Sequence, residues 1–186
     1  MDKKKVAKYA HAFIGGKPKV FRYYNDDKSR QIDIMTCTGG ECEGIDTYAT
    51  IGMCDVDIGL WTGDNVLRVE LMMAGPEGND LFANILASAA FDAMTTRNCA
   101  YGDVIPNTIT TYLPDSEMKH LVLLSPVFWS KYRYLETKGT SVSWLLAVPV
   151  SDRECAFIKQ FGINAFDELL EEKEADIFDL YRDSIV

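Results

Sequence analysis

The stretch "SVSWLLAVPVSDRECAFIKQFG" (141–162) joins two patterns that together decide the fold. Its first half, 141–150, is a dense apolar run without a charge, as expected of a strand buried on both faces. Its second half opens on Ser151-x-x-Glu154, a capping box in which each side chain can satisfy the other residue's free backbone N–H. The helix so started stops at Gly162, a residue suited to the backbone turn that ends helices. A strand of this kind needs packed layers on both sides of its sheet.

Working outward, "KHLVLLSP" (119–126) is a second run dense enough to be covered on both faces. In "NVLRVELMMA" (65–74) Leu67, Val69, Leu71 and Met73 share one face, and Arg68 and Glu70 lie on the other. "GPEGND" then breaks the sheet and caps a helix, "LFANILASAAFDAM" (81–94), whose alanines permit close approach to a sheet. "TYATIGM" (47–53) is a further strand, set apart by the glycine-rich "DIGLWTGD". "KVFRYYNDDKSRQIDIMT" (19–36) reads as a hairpin turning at Asn25-Asp26-Asp27, and "TGGECEG" (38–44) as a loop.

The Lys-rich start carries Val6, Tyr9, Ala10, Phe13 and Ile14 at helical spacing and stops at Gly15-Gly16. Beyond Gly162, Asn164 is predicted to cap another helix with Phe166, Leu169 and Leu170 inward. The tail "EEKEADIFDLYRDSIV" is predicted to continue helically, with Ile177, Phe178 and Tyr181 apolar. With no repeat and no linker, residues 1–186 read as one α+β domain. Its core is a central mixed, largely antiparallel sheet, with helices at both ends of the chain and one in the middle.

Hydrophobic residues make up 47% of the 186 and charged ones 25%, normal for a globular protein that needs no metal or disulfide to hold it. A net charge of −9 argues against direct binding of nucleic acid and suits docking onto a basic protein. No apolar run is long enough for a membrane span, and the N-terminus lacks a secretory core, so a cytoplasmic protein is expected. Five cysteines fit reduced thiols; Cys37 and Cys42 are loosely spaced for zinc, and no second ligand pair follows. No cofactor or metal is expected.

Cys54 has Asp55 and Asp57 near it, and adjacent carboxylates raise a thiol pKa, the reverse of what a nucleophile needs. It reads as a small filler at a strand end. "YGDVIPN" (101–107) suits a binding loop or a rigid turn. The acids crowding the last twenty residues read as a solvated face or as a docking surface for a basic partner.

The segments "IDIMTCT", "ATIGMCD", "RVELMM", "NDLFANILASAAFDAM", "GDVIPN", "HLVLLSPVFW" and "VSWLLAVPVSDRECAFIKQFGINAFDELLE", in this order, resemble the suppressor-of-fused domain family over about residues 18–175. The likeness is to its small bacterial members, immunity proteins or antitoxins paired with LXG-type toxins. That family often carries Ser where Cys54 stands and His where Asp103 stands, and it lends this chain no catalytic residue. The resemblance implies a non-enzymatic cytoplasmic protein that binds and neutralises a cognate toxin, the expected target being a basic nuclease domain. The candidate contact residues are Glu171, Glu172, Asp176, Asp55, Asp57 and Asp103. The alternatives are a small enzyme using the loop at 101–107 and a peptide-binding regulatory scaffold.

Overall fold

A computed structural model describes residues 1–40 and 43–186. Cys42, half of the cysteine pair considered for zinc, lies outside the described residues. Helix α1 (Lys3–Ile14) is followed by strands β1 (Lys17–Tyr24), β2 (Gln31–Thr38) and β3 (Ile45–Ile51). A 3₁₀ turn (Met53–Asp55) leads to β4 (Leu60–Thr62), β5 (Asn65–Pro76) and helix α2 (Leu81–Thr96). Then come β6 (Val104–Ile105), β7 (Met118–Leu124), β8 (Leu135–Thr137) and β9 (Thr140–Ser151), and finally helices α3 (Asp152–Phe161) and α4 (Ile163–Glu172).

The strands form one mixed sheet in the order β1-β2-β3-β5-β9-β7-β6, with β4 hydrogen-bonded to β5 and β8 to β9. Every pairing is antiparallel except the central one, β5 with β9, which runs parallel from Val66↔Thr140 to Met72↔Leu146. β9, and β5 from Leu71 onward, are apolar in both directions because each face has its own core. On one face Leu71, Met73, Leu121, Leu123, Leu145 and Ala147 pack against α2. On the other Met72, Val122, Trp144, Leu146 and Val148 pack against α1, with Phe166 and Leu170 of α4. The alanines of α2 let it lie low on the sheet, so low that a Cβ at Gly75 would sit 2.3 Å from the Phe82 ring.

The capping box is present as read: Ser151 Oγ accepts from the Glu154 N–H, and Glu154 accepts from the Ser151 N–H. Three expectations are corrected. Asn164 does not cap α4, which begins one residue earlier at Ile163 with Gly162 in the cap position and no side-chain cap. The strand read as 47–53 ends at Ile51, because Gly52 (φ 107°) turns the chain into the 3₁₀ turn. The tail is not helical beyond Glu172: Glu174 takes a left-handed φ of 49°, and two aspartates then bind their own backbone. Asp176 accepts from the Phe178 N–H at 3.0 Å and Asp179 from the Tyr181 N–H at 2.8 Å. Such Asx turns compete directly with helical bonding. Short β4 and β6 also arise in segments read as loops.

Candidate partner-binding surface

Where β7 runs out and α4 ends, two chain segments leave a cleft between them. Its floor is Leu124 of β7, Leu146 of β9 and Leu170 of α4, and its volume is about 330 Å³. One wall is Val127 and Phe128, from the loop after β7; the other is Ala175 and Ile177, from the irregular tail. Asp167, Glu171 and Glu174 also line the cleft. Val127 is 72% exposed and Phe128 55%, unusual for apolar side chains that could have turned inward. Phe128 is held from behind by the Phe178 ring, 5.9 Å away.

Apolar floor and acidic lining together define what the cleft can take. A lysine or arginine can lay its aliphatic stem along Leu124 and Leu170 and present its charged head to the carboxylates. An acidic group is repelled, and a purely apolar one leaves the carboxylates unmatched. Tyr101, from the loop before β6, reaches across to Asp167 at 3.4 Å and lines a neighbouring hollow with Tyr132, Tyr134 and Leu145.

Of the six candidate contact acids, Glu171 lines the cleft, and Glu172 follows it in α4, 3.9 Å from Lys173. Asp176 is exposed, but its carboxylate holds a turn of the tail. Asp55 and Asp57 lie around the 3₁₀ turn and already have cations: the Met1 amino group at 2.5 Å and Arg68 at 2.7 Å. Asp57 is held below the usual carboxylate range by the Gly59 N–H and by Arg68. Asp103 accepts from the Ala100 N–H at 2.7 Å, and its own carbonyl accepts from Leu123 of β7. The loop at 101–107 is therefore tied to the sheet, with Asn107 at φ 58° donating its N–H to His120 Nδ1. Two members of the cleft's acidic lining, Asp167 and Glu174, were not among the candidates; the tail's turns, which bring Glu174 to the cleft, have no periodic signature.

His120 is engaged, and burial raises the thiols, among the described residues. His120 spends Nδ1 on Asn107 and Nε2 on Asp152, 2.9 Å away, leaving no ring nitrogen for a substrate. Burial pushes the thiols of Cys37 and Cys99 up to about 12 and that of Cys155 to about 11. Cys54 is raised as well, by burial and then by Glu70. Among the described residues no group of three His, Cys, Asp or Glu is placed to hold a metal, and no helix is long and apolar enough to cross a membrane.

The family model described as suppressor of fused protein matches residues 28–183. A curated relative, "Immunity protein YqcF" of Bacillus subtilis (strain 168), is 34% identical over 187 residues, covering 100% of this chain and 97% of that one. Among solved structures, a suppressor-of-fused homolog from Neisseria gonorrhoeae FA 1090 superposes with a TM-score of 0.72 at 14% identity, covering 99% of this chain and 96% of that one. The crystal structure of the Sufu-Fu complex superposes at 0.67 with 13% identity, covering 98% and 91%.

Proposed function

The chain belongs to the suppressor of fused family, and from that premise we propose that it is a cytoplasmic immunity protein that binds and neutralises a cognate toxin. The observation that carries the reading is the likeness to an immunity protein at 34% identity over the full length of both chains. The acidic-lined cleft supplies the physics. A toxin that acts on nucleic acid is basic where its substrate lies, so an acidic inhibitor with an apolar anchor competes for that same surface. The toxin we propose is therefore a basic domain, a nuclease being the best fit, carried by an LXG-type polypeptide. No catalytic role is proposed: among the described residues Cys37, Cys54 and Cys99 are buried, the Cys155 thiol is raised by burial, and His120, paired with Asp152, has no free ring nitrogen.

Co-expression with the product of the adjacent gene, the proposed toxin, tests the reading. Growth should be restored, and the two proteins should co-purify at one-to-one stoichiometry. Absence of both rescue and a complex, with the chain folded, would overturn it.

A further inference from the structure

Strand β1 is the outermost strand of the sheet, and it is exposed along its length apart from half-buried Tyr23. It pairs with β2 without a bulge from Lys17↔Thr38 to Tyr24↔Gln31. At the hairpin the Asn25 N–H donates to the Arg30 carbonyl, so 25 and 30 are a hydrogen-bonded pair. Antiparallel ladders alternate bonded and non-bonded pairs. Tyr23, Phe21, Lys19 and Lys17 therefore turn their backbone groups toward β2, and Val20, Arg22 and Tyr24 turn theirs outward. Pro18 falls on an outward position, where its missing N–H costs the sheet no bond.

Sheet edges are usually protected by shortness, by edge lysines or proline, by a bulge or by a covering element. β1 has Lys17, Pro18 and Lys19 at its start, but residues 20–24 have no bulge and no cover, and Val20, Phe21 and Tyr24 are 53–55% exposed. Its charge is also distinct from that of the rest of the chain. The first thirty residues hold nine Lys and Arg against three Asp, a net of +6, within a protein of net −9. On the strand itself, Arg22 is paired with Asp33, whereas Lys17 and Lys19 have no ion pair among the described residues.

We propose that the β1 edge accepts an extended, acidic segment of a partner protein as an added strand. Outward N–H and C=O groups of Val20, Arg22 and Tyr24 supply main-chain bonds. Val20 and Tyr24 on one face and Phe21 on the other contact apolar residues of the guest. Lys17 and Lys19 select carboxylates. A second copy fits less well, since pairing β1 with β1 brings together two strands that each carry Lys17, Lys19 and Arg22 and no acid. This surface is separate from the cleft and does not depend on the toxin reading.

The test uses the full chain and a labelled alternating peptide, acetyl-(Glu-Val)₃-amide, beside its Lys-for-Glu counterpart. Binding of the acidic peptide should be at least tenfold tighter and should slow hydrogen exchange of the Val20, Arg22 and Tyr24 amides at least tenfold. Val20→Pro, which removes an outward N–H and no ladder bond, should weaken binding about tenfold, and so should Lys17→Glu with Lys19→Glu at low salt. The exchange measurement on the unaltered protein stands even if a variant misfolds. Four results overturn the proposal: equal affinity for both peptides; protection elsewhere than β1; equally tight binding of heparin, which has no peptide backbone; or a β1-paired dimer that Val20→Pro dissolves.

Discussion

Glu70 shows how one side chain can shape a turn. It is fully buried on β5, with no ion pair among the described residues, and accepts from Thr50 Oγ1 at 2.6 Å and from the N–H groups of Gly52, Met53 and Cys54 at 2.7, 3.2 and 3.2 Å. The 3₁₀ turn exists to aim those three donors at one carboxylate. Glu70→Ala leaves them buried and unsatisfied, so urea denaturation should show a loss of about 3 kcal/mol or more. Burial raises the Glu70 pKa from 4.5, against the pull of its hydrogen bonds. A carboxyl raised on folding binds its proton more tightly in the native state, so its contribution shrinks as pH climbs from about 4.5 through the folded value. Wild type should therefore lose stability relative to Glu70→Gln over that window, which urea midpoints from pH 4.5 to 8 would reveal; a constant difference would refute it. Cys54 sits against the same carboxylate, and Cys54→Ser keeps a small donor there. Folding and partner binding should survive that change. Sequence placed Glu70 beside Arg68 on the polar side of an alternating strand, and alternation alone cannot tell a buried acid from a solvated one. Arg68 is half-buried with Asp57, and Glu70 is sealed.

At the scale of elements, α3 was legible to the residue because a capping box is local, spanning Ser151 to Glu154. The tail was not legible, because what holds it is distant. Arg182 is buried and donates to Glu154 Oε2 at 3.0 Å and to the Pro149 carbonyl at 2.8 Å. One glutamate thus caps α3 and anchors the tail 28 residues later. Arg182→Met strips Glu154 of its cation while leaving it buried, a change that costs about 3–5 kcal/mol in comparable cases. Amides of the Asx-turn region, Phe178 and Tyr181, should then exchange faster than those of α2. Unchanged protection there would show that the aspartate turns hold the tail without the anchor. Helical expectation for this segment failed for the same reason: Asp176 and Asp179 satisfy backbone N–H groups that a helix would have used.

For the molecule as a whole, a net charge of −9 hides an uneven distribution along the chain, whose first thirty residues hold nine Lys and Arg against three Asp. Sheet class, the β1–β2 hairpin and the α2 packing could be read from local pattern, whereas the strand order joins distant segments and the cleft joins residues from 124 to 177, neither with a local signature. Reversing Glu171, Glu172 and Glu174 to lysine leaves the turn held by Asp176 intact and changes the net charge from −9 to −3. Association with the proposed toxin should slow by roughly tenfold at low salt, with stability altered by about 0.5 kcal/mol or less per site. Stopped-flow mixing at two ionic strengths measures this; an unchanged rate would place the contact elsewhere. The parallel β5–β9 pair at the centre bears on time. Its partners lie 74 positions apart, from Val66↔Thr140 to Met72↔Leu146. Neither face of the sheet can close until that long loop does, and pairings of this kind fold in milliseconds to seconds. A newly made chain therefore passes through an interval in which both central strands are bare, and chaperone capture would meet it there, before the acidic-lined cleft exists.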